Sequence, residues 1–186
     1  SSACHPAVRK RGAHIFGLPD CPGHRMAGLL SGNSTLRATV SLLRLARCQQ
    51  IPCSLENPLT SMLWDAPNLA VLLRARDCRV SVVHLCAYGA RWRKPTKVAF
   101  WGASPHRLDE RPRCRRRSGV CSFCGKRHIV LSGTDPVSQR RWTSLASKYP
   151  KRFASDLAST LLDAASLPLE LNLYEILSKI PLGACS

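Results

Sequence analysis

Three cysteines and a histidine in the second half of the chain have the spacing of a metal-binding site. Cys114, Cys121, Cys124 and His128 are separated by six, two and three residues. Three thiolates and one imidazole make a closed four-coordinate set, a standard arrangement for structural zinc. Gly125 relieves the turn after Cys124, and the nearby arginines favour the thiolate form of the cysteines. The pattern predicts a structural zinc site; the alternatives are three free cysteines in a basic loop and a cluster that binds no metal.

A carboxylate lies at the end of an apolar run in the first third of the chain. The run 51–55 is typical of a buried strand, and it stops at Glu56, Asn57 and Pro58. Ligands bind at the carboxyl ends of strands in open α/β sheets, where a carboxylate can accept a hydrogen bond from the amino group of cytosine. Glu56 is therefore a candidate base-contacting residue, and Asn57 a candidate nucleic-acid contact. The alternative is a plain turn, because Asn-Pro commonly begins one.

A short loop between two predicted strands combines aromatic rings with three cations. This basic loop, residues 88–94, contains Tyr88, Arg91, Trp92, Arg93 and Lys94. Guanidinium groups make forked contacts to phosphate, and an aromatic ring offers a surface on which a base can stack. We expect the loop to contact nucleic acid, and a solvated hairpin is the alternative.

The elements that must position these residues follow an α/β pattern. Apolar spacing predicts helices over 34–50 and 67–76, and strands over 51–55, 80–85 and 97–102. About 11 residues join the last two strands, too few for a parallel crossover with a helix, so we expect these strands to be antiparallel. All three strands are expected to be neighbours in one sheet.

Changes in periodicity divide the chain into four predicted segments. Residues 1–33 are rich in glycine and proline and form an irregular segment, with Asn33 as the N-cap of the first helix. Residues 34–103 form the α/β core, 104–134 a basic Cys/His-rich insertion, and 135–186 a set of C-terminal helices.

The net charge indicates a polyanionic partner. The 186 residues include 28 Lys and Arg, 21 of them Arg, against 11 Asp and Glu, for a formal charge of +17. Nucleic acid is the default partner of so basic a chain, although a basic compositional bias without any partner gives the same count. No apolar run is long enough to cross a membrane. The cysteine content is too low for a disulfide scaffold and no signal peptide is recognisable, so we expect an intracellular, reducing compartment, and the nucleus for a DNA partner.

The motifs together resemble DNA cytosine-5 methyltransferases, most closely a divergent branch carried by phages and retroelements. The resemblance covers roughly residues 28–162. It comprises Gly32-Asn33, Glu56-Asn57-Pro58 with Ser61 and Trp64, Tyr88-Gly89 with Arg93-Lys94-Pro95-Thr96, the spaced Cys and His, Leu131-Ser132-Gly133, and the run from Thr143 through Ala146 to Tyr149-Pro150. It implies that the strands belong to the C-terminal half of a Rossmann-like methyltransferase sheet, which ends in an antiparallel strand.

The resemblance also implies roles for individual residues. Glu56 would act as the catalytic carboxylate that contacts a flipped cytosine, and Arg93 and Lys94 would hold DNA phosphate or base. The family's nucleophilic cysteine lies in a Pro-Cys motif upstream of the Glu motif, whereas Pro52-Cys53 lies inside the strand that delivers Glu56. No Gly-rich loop for S-adenosylmethionine is recognisable. We therefore expect an N-terminally truncated chain that uses this cofactor only if the missing half is present.

The sequence thus predicts a fragment of a DNA cytosine-5 methyltransferase-like protein, derived from a mobile element, that keeps its base and DNA contacts but is inactive by itself. A non-catalytic, zinc-containing nucleic-acid-binding module and an inactive remnant are the alternatives. The binding module would show a steep salt dependence, whereas the remnant would bind neither metal nor DNA.

Overall fold

A three-stranded sheet is the centre of the fold in a computed structural model that describes residues 7–111, 113–115 and 119–165. Its strands are β1 (Cys53–Pro58), β2 (Cys78–His84) and β3 (Pro95–Trp101). The strand order is β1-β3-β2, so the last strand lies between the first two. Because β3 is antiparallel to both of its neighbours, β1 and β2 run in the same direction.

Helices surround this sheet. The longer ones are α1 (Gly23–Cys48), α2 (Pro67–Leu73) and α5 (Lys151–Ala165), and the single-turn ones are α3 (His106–Asp109) and α4 (Trp142–Leu145). Short 3-10 turns occupy Gly12–His14, Met62–Asp65 and Leu85–Tyr88. Within the described ranges, no helix combines the length and the apolar character needed to cross a membrane.

One face of the sheet packs against α1 and α2. Side chains alternate along a strand, so Leu55, Ala99 and Trp101 share this face. They join a buried cluster with Val40 of α1 and Leu69 of α2. The indole nitrogen of Trp101 also donates a hydrogen bond of 2.9 Å to the carbonyl of Leu72, which fixes α2 to the sheet.

The opposite face packs against α3 and α5. Its buried side chains include Val98 and Phe100 of β3, which contact Leu108 and Phe153. Glu56 is opposite Val98 in the β1–β3 register, so it belongs to this face. The sheet therefore lies between two helical layers, and the carboxylate lies on the α5 side.

The α/β class and the antiparallel pairing of β2 with β3 agree with the sequence analysis. The three strands do form one sheet, but β1 and β2 are not direct neighbours because β3 separates them. The larger Rossmann-like sheet stays a prediction. The expected helices of the C-terminal segment are present as α4 and α5, whereas 166–186 and 1–6 lie outside the described residues.

The first helix is longer than predicted. It begins at Gly23, directly after Pro22, so the expected boundary at 33/34 falls inside α1 and Asn33 is not its N-cap. The Asn33 side chain instead donates a hydrogen bond of 2.7 Å to the carbonyl of Phe16. The glycines of residues 23–33 predicted an irregular segment, but a stripe of buried apolar side chains along α1 offsets the low helix propensity of glycine. The stripe consists of Leu29, Leu36, Val40 and Leu43.

Strand β1 also differs from its predicted range. It starts at Cys53 and continues to Pro58, so Glu56 and Asn57 lie within the strand rather than after it. Proline is tolerated there because it is the last residue of an edge strand. This placement makes Glu56 part of the sheet face, and its position is fixed by the register with β3.

We predict that Phe153→Ala strongly destabilises the fold. The ring of Phe153 is only 1% exposed and packs against the sheet, so its loss should lower the free energy of unfolding by about 3–5 kcal/mol. Leu162→Ala, on the same helix at 56% exposure, should change it by less than about 0.5 kcal/mol. Urea denaturation measures both values, and equal losses would argue against the described packing of α5.

Candidate metal centre and the surface beside it

Three cysteines and one histidine from separate parts of the chain meet in one cluster. Cys86, Cys114, Cys121 and His128, here called the Cys3His cluster, each offer one ligand atom, and these atoms lie within 4.8 Å of one another. The Sγ atoms of Cys114 and Cys121 are 4.0 Å apart, and Cys114 Sγ is 3.8 Å from His128 Nε2. Sulfur ligands about 2.3 Å from a tetrahedral zinc ion are about 3.8 Å from each other. The four side chains can therefore hold a metal ion.

The local structure brings each ligand to this place. Cys86 lies in the 3-10 turn that directly follows β2, so the sheet positions it. The backbone N–H of Cys114 donates a hydrogen bond of 3.0 Å to Nδ1 of His84, the last residue of β2. Cys121 and His128 lie on either side of a tight turn. In this turn the backbone N–H of Cys121 donates a hydrogen bond of 2.9 Å to the carbonyl of Lys126, and the N–H of Gly125 donates one of 3.0 Å to the carbonyl of Cys121.

The structure corrects one ligand of the predicted zinc site. Cys124 is exposed, whereas Cys86 is 4% exposed and occupies the place expected for Cys124. Local spacing pointed to Cys124 because a Cys-x2-Cys pair is a familiar ligand pattern. Cys86 lies 28 residues upstream of Cys114, and only the fold brings it into the cluster. The one signal in the sequence was its place two residues before Tyr88, at the start of the basic loop.

Burial and the ligand atoms determine which charge state the cluster can hold. Burial raises the pKa of the Cys86 thiol, and its hydrogen bond with Cys114 raises that pKa further. Without a metal these effects keep Cys86 a neutral thiol, so a divalent cation would have to displace its proton and would then supply the positive charge that the buried thiolate needs. Nδ1 of His128 is buried and has no hydrogen-bond partner among the described residues. A proton on Nδ1 leaves the lone pair of Nε2 directed at the sulfur atoms, as a metal ligand requires.

The basic loop is tied to the cluster by hydrogen bonds. The backbone N–H of Leu85 donates to the carbonyl of Arg93 at 2.8 Å, and that of Ile129 donates to the carbonyl of Arg91 at 3.0 Å. Nε of Arg93 donates to Nδ1 of His84 at 3.3 Å. Burial, together with the charge of Arg93, lowers the pKa of His84, so its imidazole stays neutral and accepts these bonds. The cluster and the loop therefore form one connected unit.

Glu56 and Lys94, two of the predicted site residues, meet at Tyr149. The phenol of Tyr149 donates a hydrogen bond to Oε2 of Glu56. Nζ of Lys94 lies 5.2 Å from the centre of the Tyr149 ring and donates to the carbonyl of Ala146 at 3.1 Å. Burial raises the pKa of Tyr149, and the bond to the Glu56 carboxylate raises it further. Tyr149 was noted in the sequence only as part of a motif, so its place beside Glu56 was not predicted.

The remaining predicted residues are dispersed. Arg91 lies over the ring of Trp142, 5.9 Å from its centre, at the protein surface. Tyr88 was expected to contact DNA, but it is 6% exposed and packs edge-on against Phe153 at 5.3 Å, so the structure places it in the core. Asn57 is opposite Lys97, on the sheet face that Glu56 does not share.

Comparison of the chain with protein-family models, curated proteins and solved structures finds no match.

We predict that Cys86→Ser loses bound metal whereas Cys124→Ser keeps it. Wild-type protein prepared with zinc should carry about one equivalent per chain, and loss of a buried ligand should remove the metal and lower the melting temperature. Elemental analysis and thermal unfolding measure the two effects. The opposite pattern, with Cys124 required and Cys86 dispensable, would restore the ligand set read from the sequence spacing.

Proposed function

We propose that the chain is a zinc-stabilised DNA-binding module that contacts a target base through Glu56, related to the DNA-contacting half of DNA cytosine-5 methyltransferases. The observation that carries the proposal is the meeting of Glu56, Lys94 and Tyr149. These residues belong to three separate motifs of the resemblance, and 93 residues separate Glu56 from Tyr149. A chance resemblance gives no reason for the three motifs to converge.

The strand arrangement is a second support for this relationship. The resemblance implies a sheet that ends in an antiparallel strand. Here β3 is antiparallel to both neighbours, and helices cover both faces of the sheet. Strand β1 lies at one edge of this sheet and carries Glu56.

Zinc is the metal that the cluster would suit best. Thiolate and imidazole donors select borderline and soft cations, and a set of three sulfurs and one nitrogen is a familiar structural zinc site. A closed set of four protein ligands leaves no position for a reactive water, so the role would be structural. By holding Cys86 and His128, the ion would fix the adjacent residues Leu85 and Ile129, whose backbone N–H groups donate to the basic loop.

The chemistry of Glu56 suits recognition of cytosine. A carboxylate accepts a hydrogen bond from the exocyclic amino group of cytosine, which thymine lacks. A base reaches a carboxylate at the sheet only after it leaves the helical stack, so the DNA must present it flipped or unpaired. Lys94 and Arg91, which contact the two ends of α4 through Ala146 and Trp142, would hold the neighbouring phosphates.

Cys53 does not suit the role of nucleophile. It is opposite Trp101 in the register, so it lies on the sheet face that Glu56 does not share. Burial also raises the pKa of its thiol, which disfavours the reactive thiolate. Binding of DNA is therefore the function that this geometry supports best.

We predict that Glu56→Ala abolishes discrimination between cytosine and thymine at an unpaired position. In duplexes that differ only at that base, wild-type protein should prefer cytosine by about 1–3 kcal/mol, and the variant should bind both equally. Fluorescence anisotropy measures the affinities. A preference that survives in Glu56→Ala would contradict the proposed base contact.

We predict that Lys94→Ala weakens binding to both duplexes and reduces the slope of log K against log salt by about 0.9, the contribution of one phosphate contact. Lys10→Ala is the matched control, because Lys10 is an exposed lysine of the segment that precedes Ile15, which packs on the other side of the sheet. Equal slopes for Lys94→Ala and the wild type would show that Lys94 makes no phosphate contact.

A further inference from the structure

We propose that Tyr149 is a gate over Glu56, which a DNA strand opens by drawing Lys94 away from the tyrosine. This inference rests on the proposed function, because it concerns how the Glu56 carboxylate becomes available to a base. Tyr149 would thereby determine the order of events, with phosphate contact before base contact.

The first support is that neither oxygen of Glu56 is open to a ligand. Oε2 accepts the hydrogen bond from the phenol of Tyr149. Oε1 is buried and has no hydrogen-bond partner among the residues that the structure describes. A buried carboxylate oxygen without a partner is costly, and a base amino group would satisfy it. The base can reach it only if the phenol moves.

The second support is the way in which the Tyr149 ring is held. One side of the ring faces the ammonium group of Lys94 at 5.2 Å, and the ring is tilted against Phe153 at 5.4 Å. Phe153 is 1% exposed and belongs to the core, whereas Tyr149 is 43% exposed and lies between α4 and α5. The lysine and the carboxylate are therefore the polar contacts that hold an otherwise surface-accessible ring.

The third support is the backbone of Lys94. Its φ of 31° lies in the left-handed region, which a residue with a side chain seldom occupies. Strained positions of this kind cluster at binding sites and at segments that move. In this conformation the ammonium group reaches both the Tyr149 ring and the carbonyl of Ala146, at 3.1 Å.

Phosphate competes effectively for this lysine. The ammonium group of Lys94 is partly buried, and its contact with the Tyr149 ring is weak compared with a charge-assisted hydrogen bond to a phosphate oxygen, which would also replace its bond to the carbonyl of Ala146. Once Lys94 binds phosphate, the contacts that Tyr149 keeps with the described part of the chain are its bond to Glu56 and its packing against Phe153. An unpaired base that offers an amino group can then replace the phenol at the carboxylate.

Tyr149→Phe tests the gate because it removes the hydroxyl group and keeps the ring. We expect this variant to bind a duplex with an unpaired cytosine about tenfold more tightly than the wild type, because one hydrogen bond to a charged group no longer competes. The affinity of the variant for the duplex with an unpaired thymine, and the salt dependence of its DNA binding, should equal those of the wild type. Ser147→Ala is the control, since it removes a hydroxyl from the same segment, where the Ser147 side chain donates to the carbonyl of Ser144.

Unchanged or weaker cytosine binding by Tyr149→Phe would overturn the gate, and weaker binding would identify Tyr149 as a residue that positions Glu56. These results differ from a failure of the proposed function, in which the wild type and Glu56→Ala bind cytosine and thymine duplexes alike.

A second measurement tests the gate without cytosine, so it still applies if the protein does not distinguish cytosine from thymine. In protein labelled with fluorotyrosine, the ¹⁹F resonance of Tyr149 is assigned by its loss in Tyr149→Phe. Addition of a thymidine-only oligonucleotide should move it to the position that it has in Lys94→Ala, because the lysine leaves the ring while the phenol keeps its bond to Glu56. Lys94→Ala itself should not respond. A resonance that stays in place while the oligonucleotide binds would overturn the gate.

Discussion

The convergence of three thiols and one imidazole at the end of β2 is the constraint on which the rest of the functional region depends. The described residues between α3 and α4 contain only two isolated bridges, Val120 with Arg127 and Thr134 with Arg141, and much of this stretch is exposed. So little regular structure and apolar burial does not order a long loop by itself. A metal bound by four protein ligands contributes on the order of 10 kcal/mol, comparable to the whole stability of a typical domain.

The sheet positions both the Cys3His cluster and the Glu56 carboxylate. Strand β2 ends at His84, whose imidazole accepts bonds from the Cys114 backbone and the Arg93 side chain, and the next turn supplies Cys86. Strand β1 carries Glu56, and its register with β3 directs that carboxylate to the α5 side, where Tyr149 meets it. The Cys3His cluster, the basic loop and the carboxylate are thus attached to one three-stranded sheet.

The sequence predicted those features that local patterns determine. Alternating and continuous apolar runs located all three strands to within a few residues, and short spacings identified Cys114, Cys121 and His128. The features it missed depend on contacts between distant residues. Cys86 enters the cluster from 28 residues away, Tyr88 turns into the core against Phe153, and Glu56 meets a tyrosine 93 residues away. The early start of α1 was missed for a related reason, since its first turns are held by a distant segment: Arg9 donates to the carbonyl of Leu29, and the Asn33 side chain donates to the carbonyl of Phe16.

X-ray absorption at the zinc edge tests the central claim most directly, because it reports the ligands of the metal rather than its mere presence. Zinc-loaded protein should show three sulfur ligands at about 2.3 Å and one nitrogen at about 2.0 Å. Cys124→Ser should leave this spectrum unchanged, and Cys86→Ser should lose a sulfur ligand or the metal. Ligation by oxygen, or a spectrum that depends on Cys124 and not on Cys86, would contradict the account.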